Sequence, residues 1–191
     1  KFIGKDNISL ILGDNFFYGQ SLSEKLKRAS KLKKGAIIFS YPVKNPSRFG
    51  VVTLKGKKIV SLIEKPTNTN SNLAITGLYF FDNSVVKKTL SLKNSKRNEL
   101  EIIDLLKMYK KNNLLKTEAL GRGAAWLDAG TIEDFNQTSL FVSAIEKRQG
   151  LKIACLEEIA FLNKWINKNN LREAISFYGN CDYSKYLRGL F

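Results

Sequence analysis

The chain has 191 residues, 43% hydrophobic and 26% charged, which suits one ordinary soluble domain with a sizeable core and argues against intrinsic disorder. Its 32 Lys and Arg outnumber 17 Asp and Glu, giving a formal charge of +15; this favours polyanionic contacts, but the lysines are scattered without an aromatic stacking platform, so no nucleic-acid partner is expected. Having no histidine and only Cys155 and Cys181 argues against zinc sites, Ser-His or Cys-His catalysis and a disulfide framework; with no membrane-length apolar run and no signal-peptide pattern in residues 1–6, a cytoplasmic location without membrane contact is expected.

Ile8 to Gly13 reads as an apolar strand closed by Asp14. Ser21-Leu22-Ser23-Glu24 has the form of a capping box opening a helix with Leu22, Leu26 and Ala29 on one face. Gly35 introduces Ala36 to Phe39, a second buried strand, and the order strand, helix, strand implies a parallel crossover. After the irregular Tyr41 to Pro46, Phe49 to Leu54 and Ile59 to Ile63 flank the turn-like Lys55-Gly56-Lys57-Lys58, a hairpin that makes the sheet mixed. The polar residues 67–72 form a loop before a strand from Leu73 to Phe81, and Asp82 is placed to cap a helix from Ser84 to Leu92. Asn98 with Glu101 marks another helix start, with Leu105, Leu106 and Met108 as apolar contacts. Two more strands are expected at Leu114 to Leu120 and around Trp126, then a long helix from Thr131 that Gly150 ends. From Leu151 the pattern is helical, over Leu156 to Trp165 and Leu171 to Phe177. Without internal repeats or a flexible linker, residues 1–150 are expected to form one α/β domain and residues 151–191 a helical appendage packed on it.

Asp14 and Asp128 each close an apolar run, where open α/β sheets bind ligands. A carboxylate there needs a donor or a cation, and two such oxygen groups suit Mg²⁺ together with substrate phosphates; the alternative, that each aspartate caps a turn or helix, stands beside it. Glu64 and Lys65 by themselves read first as an exposed charged pair before Pro66, and Arg97 as a residue preceding a helix cap. Trp126 and the pair Phe16-Phe17 read first as packing, although a loop after Asp14 could also shape a nucleotide pocket.

The segments Leu12 to Gly19, Asn45 to Val52, Glu64-Lys65-Pro66, Thr76 to Phe81, Arg97 to Ile102 and Trp126-Leu127-Asp128-Ala129-Gly130, with Glu146 to Lys152 and Glu157 to Phe161, together resemble the glucose-1-phosphate thymidylyltransferases. Each motif is weak alone; the ordered set spans nearly the whole chain. The resemblance implies a mixed-sheet, Rossmann-like α/β nucleotidyltransferase fold. It implies condensation of glucose 1-phosphate with dTTP to dTDP-glucose and pyrophosphate, the entry step to dTDP-rhamnose and related cell-surface sugars. It further implies Mg²⁺ held by Asp14 and Asp128, glucose hydroxyls met by Glu64, the sugar phosphate met by Lys65 and Arg97, close backbone contacts from Gly50 and Ile75, and a homotetramer with a regulatory nucleotide site. A side chain on Gly50 is expected to obstruct the sugar. The non-enzymatic alternative is a basic module binding nucleic acid or an acidic partner.

One departure is large. The family's glycine-rich loop, of the type Gly-Gly-x-Gly-Thr-Arg-Leu, grips nucleotide phosphates with backbone donors, and these 191 residues contain no such segment while opening on Lys1. The expectation is an N-terminally truncated nucleotidyltransferase that lacks base recognition and is inactive by itself. Phe49, where tyrosine is frequent, and Leu156, where proline is expected, are smaller departures.

Overall fold

The computed structural model describes residues 2–95 and 98–190. The chain divides into two compact units, Lys1–Gly130 and Thr131–Phe191. The first unit runs in order through β1 (Ile8–Ile11), β2 (Asn15–Gly19), α1 (Leu22–Ala29), β3 (Ala36–Pro42), β4 (Gly50–Lys55), β5 (Lys58–Glu64), β6 (Leu73–Phe81), α2 (Val85–Leu90), α3 (Ile102–Lys111), β7 (Leu115–Ala119) and β8 (Ala124–Asp128).

Strand β6 is the axis of this unit. Its nine residues are apolar or small on both faces, the pattern of a strand covered on both sides, and all but Leu73 are buried. Alternation sends Ile75, Tyr79 and Phe81 into one core with Ile38, Val52, Ile103, Leu106 and Tyr109. It sends Ala74, Leu78 and Phe80 into another with Ala29, Phe39, Leu120 and Trp126. The sheet order is β5-β4-β6-β3-β7, with β1 also on β6. Phe81 is flanked by Ile8 of β1 on one side and Ala36 of β3 on the other. Both partners run antiparallel to β6, so β1 and β3 run in the same direction across α1, as a parallel crossover requires, while β7 joins β3 in parallel. The sheet is mixed, as the sequence predicts.

The β4–β5 hairpin forms with Gly50 opposite Glu64 at its open end. At the far end of β6, the Asp82 carboxylate accepts from the Gly35 and Ser84 backbone N–H groups and from the Ser84 and Tyr109 hydroxyls, tying β3, β6 and α3 together. Burial by itself would raise this carboxyl's pKa; the four donors outweigh it and hold it below the usual carboxylate value.

Several boundaries differ from the sequence reading. Asn15–Gly19 is a strand, not a loop, and pairs with β8 in a separate two-stranded ribbon. Ser21 has a left-handed backbone and makes no side-chain cap, so the capping box there does not form. Helix α3 starts at Ile102 with Glu101 at its N-cap position, because Asn98 takes a positive φ of 60° and turns the chain first.

The second unit holds α4 (Ile132–Gln149), α5 (Leu156–Leu162), α6 (Lys168–Tyr178) and α7 (Asp182–Arg188). Thr131 caps α4 by accepting from the Asp134 N–H, and Gly150 ends it in the left-handed region. Cys155, Leu171, Ile175 and Leu187 form a small core, beside which the Glu157 carboxylate receives the Tyr178 and Tyr183 phenols. Helix α7 is absent from the sequence reading. No helix among the described residues is long and apolar enough to cross a membrane.

Candidate functional site

The β2–β8 ribbon brings the two strand-end aspartates together. Asn15 pairs opposite Asp128, and the Ala129 N–H donates to the Asp14 carbonyl at 2.7 Å. Asn15 Nδ2 donates to Asp14 Oδ1 at 2.9 Å and to Asp128 Oδ1 at 3.4 Å. A methyl carbon placed on Gly130 would lie 3.5 Å from Asp14 Oδ2 and 3.7 Å from Asp128 Oδ2, so the space shared by the carboxylates is bordered by a residue without a side chain.

Asp128 and Asn15 border a cleft of about 240 Å³ whose lining includes Gly50, Glu64, Lys65 and Ile75. Each is there for a structural reason. Ile75, Gly77 and Tyr79 lie on one face of β6 by the two-residue period. The hairpin register sets Gly50 against Glu64, and a Cβ on Gly50 would come within 2.9 Å of Ile103 Cδ1 and 3.2 Å of Glu64 Oε2. Lys65 follows directly on β5 with its N–H bonded to the Phe49 carbonyl at 3.0 Å, and its φ of 40° lies in the left-handed region. A residue before proline ordinarily favours extended backbone, so Lys65 is held in a costly conformation, on the order of 1–3 kcal/mol. Burial first, and the negative charge of Glu64 second, push the Tyr79 phenol well above its ordinary range. Beyond Glu64 and Lys65 a second hollow of about 410 Å³ continues past Ser95, Glu101, Asp104 and Lys107.

Of the residues singled out from sequence, the structure gathers Asp128, Gly50, Glu64, Lys65 and Ile75 around one cleft, with Asp14 outside its lining but joined to Asp128 through the Asn15 amide; Arg97 lies outside the described residues. Trp126 is packing, as read: its ring lies 5.0 Å from Phe49 and 6.1 Å from Tyr41, centroid to centroid. Its indole N–H, however, reaches Asn15 Oδ1 at 2.6 Å. Asn15 and Gly77 escaped the sequence reading. The signal for Gly77 was an isolated glycine inside an otherwise apolar strand, which marks a close approach of another group.

The donor set suits a hard divalent cation. Two carboxylates face one space, and among the described residues no group of three or more His, Cys, Asp or Glu could hold a metal. A site of two carboxylates, completed by waters and substrate phosphates, is how Mg²⁺ is commonly held. The adjacent Glu64 and Lys65 add an acceptor for hydroxyl groups and a cation for a phosphate.

Known proteins resemble this chain along nearly its whole length. Residues 1–144 match the nucleotidyl transferase family. The glucose-1-phosphate thymidylyltransferase of Neisseria meningitidis serogroup A is 47% identical over 188 residues, 98% of this chain and 65% of that protein; that of Mycobacterium tuberculosis is 42% identical over 97% of this chain and 64% of its own length. The chain thus spans slightly less than two thirds of these relatives. Among solved structures, a Bacillus anthracis protein assigned as a glucose-1-phosphate thymidylyltransferase, in complex with sucrose, matches with a TM-score of 0.66 and 34% identity, covering 73% of this chain and 56% of that one. A UDP-glucose pyrophosphorylase bound to UDP-glucose shares the fold, with a TM-score of 0.64 at 23% identity over 78% of this chain and 59% of that one.

Proposed function

The chain belongs to the nucleotidyl transferase family, and from that premise we propose that it carries the sugar-phosphate and metal half of a site that joins glucose 1-phosphate to dTTP. The products are dTDP-glucose and pyrophosphate, the former feeding dTDP-rhamnose and related cell-surface sugars. The observation that carries the reading is the convergence of Glu64, Lys65, Gly50 and Ile75 on one cleft that Asp128 also borders.

In the proposed reaction a phosphate oxygen of glucose 1-phosphate attacks the α-phosphorus of dTTP, and the bond from that phosphorus to the β-phosphate oxygen breaks. The attacking phosphate is already ionised, so no side chain has to remove a proton. The protein's task is to hold two polyanions in line, which can supply a large part of the rate. Glu64 accepts from sugar hydroxyls and fixes the ring's orientation. Lys65 Nζ offsets the charge of the sugar phosphate. Gly50 leaves room for the ring beside Glu64, and Ile75 gives the cleft an apolar floor. Mg²⁺ held by Asp14 and Asp128 would supply charge screening between the phosphates. Arg97 is assigned to the same phosphate by resemblance alone.

Calorimetric titration with glucose 1-phosphate tests the reading. Saturable binding is expected, weakened about tenfold or more by Glu64→Gln or by Lys65→Ala in folded variants, each fold of ten being about 1.4 kcal/mol. No binding, or binding indifferent to both substitutions, would remove the cleft from the role proposed for it.

A further inference from the structure

The side chain of Asn15 makes every hydrogen bond an amide can make. Nδ2 spends its two hydrogens on Asp14 Oδ1 at 2.9 Å and Asp128 Oδ1 at 3.4 Å. Oδ1 accepts from the Gly77 N–H at 2.9 Å and from Trp126 Nε1 at 2.6 Å. The orientation follows from chemistry: a flipped amide would set NH₂ against two groups that only donate and oxygen against two carboxylates.

Gly77 explains why this contact sits where it does. On β6 it lies between Leu78–Phe81, paired with β1, and Ala74, paired with Val51 of β4. Its carbonyl receives the Leu12 N–H at 2.8 Å, and its own N–H takes the Asn15 oxygen in place of a strand partner. A Cβ on Gly77 would lie 2.6–2.8 Å from the Asn15 amide atoms, so only glycine leaves that seat open. Two carboxylates sharing one space repel each other, and each conformation they can adopt dilutes any cation-binding one.

We propose that Asn15, seated on Gly77 and Trp126, is the positioning residue that holds the Asp14 and Asp128 carboxylates in one fixed arrangement for a divalent cation. The inference rests on the metal role given above to those two aspartates. The amide contributes no ligand atom; it orients the groups that do, as outer hydrogen bonds around metal sites do, at a typical cost of 10–100-fold in affinity when removed.

The test uses Mn²⁺ alone as the probe, with affinity read by electron paramagnetic resonance, and side-chain amide exchange of Asn15 read by NMR on the metal-free protein. Asn15→Ala deletes the brace. Gly77→Ala leaves every polar group in place and displaces the brace sterically, so it stands in should Asn15→Ala fold poorly. In the wild type, Mn²⁺ binding is expected together with slow exchange of the Asn15 amide hydrogens. Both variants, folded by circular dichroism, should bind Mn²⁺ at least tenfold more weakly, and Gly77→Ala should also speed the amide exchange. Wild-type Mn²⁺ affinity in either folded variant would overturn the proposal, since a merely structural role would shift melting and leave the metal alone. If the wild type itself binds no Mn²⁺, the metal reading fails; fast exchange of the Asn15 amide would show separately that the brace is not rigid.

Discussion

Lys65 illustrates how the candidate site is maintained against local preference. Its left-handed φ of 40° directly before Pro66 is unfavourable for a side chain bearing Cβ, whereas glycine adopts it freely. Lys65→Gly is therefore expected to melt at the same temperature or higher, while losing about tenfold in glucose 1-phosphate affinity; a parallel loss of stability would show that the lysine is there for the fold. Asp82 carries the opposite lesson. Its carboxyl is held below the unfolded value of about 3.9 by its four donors despite burial, so its stabilisation is present above that value and lost as pH falls through the lower folded pKa. Asp82→Asn is expected to lower stability at pH 7 by about 1–3 kcal/mol and to flatten the acid limb of the stability profile below about pH 4; an unchanged limb in denaturant titrations would refute this. At this scale Gly50, Glu64 and Lys65 stood out through the resemblance of their motifs and not through their types, since Glu64 and Lys65 alone read as an exposed charged pair; the fold sets all three on one cleft. Asn15 was not legible, because beside Asp14 it reads as one more turn residue, and its other three partners, Gly77, Trp126 and Asp128, lie on strands that only the fold brings to it.

The β2–β8 ribbon is the element that joins one end of the chain's chemistry to the other, with Asn15 opposite Asp128 at one end and Gly19 opposite Ala124 at its other. Gly19 has a φ of 150°, and a Cβ there would meet the Ala124 Cα at 2.6 Å and the Gly123 carbonyl at 2.8 Å. Both are backbone atoms that cannot step aside. Gly19→Ala is thus expected to pry the ribbon apart, costing about 1–3 kcal/mol and weakening Mn²⁺ binding although the substitution lies at the end of the strand away from the carboxylates. Calorimetric melting with a metal titration checks both, and intact metal affinity would show that the site end pairs independently. The ribbon escaped the sequence reading because Asn15–Gly19 follows a strand after only a Gly-Asp turn and alternates no clear polar face. Helix α7 escaped it for a different reason: its capping is reciprocal between Cys181 and Ser184, and cysteine is not among the residues read as caps. The long elements were legible from their runs and their ends: β6 as an apolar run after a polar loop, and α4 between a Thr131 start and a Gly150 stop.

Across the whole chain, the two units differ in how much apolar surface they enclose. The sheet unit has two extensive cores, while the helical unit buries Cys155, Leu171, Ile175 and Leu187. Unfolding is expected to be non-two-state, with α6 and α7 amides exchanging at lower opening free energy than those of β3 and β6; coincident opening across both sets in native-state hydrogen exchange would show one cooperative body. The order of strands around β6 was not legible, since pairing is set by contacts distant in sequence and not by the apolar pattern that marks each strand. One feature of the site also gives the protein an optical handle. The chain has two tryptophans, Trp126 at 8% exposure and Trp165 at 74%. Acrylamide should quench the red emission of Trp165 and spare the blue emission of Trp126. After Trp165→Phe the remaining fluorophore is the one whose indole N–H is bonded to Asn15, so the proposed binding of a divalent cation or glucose 1-phosphate is expected to change the light emitted by the unlabelled protein, and constant emission through either titration would count against it.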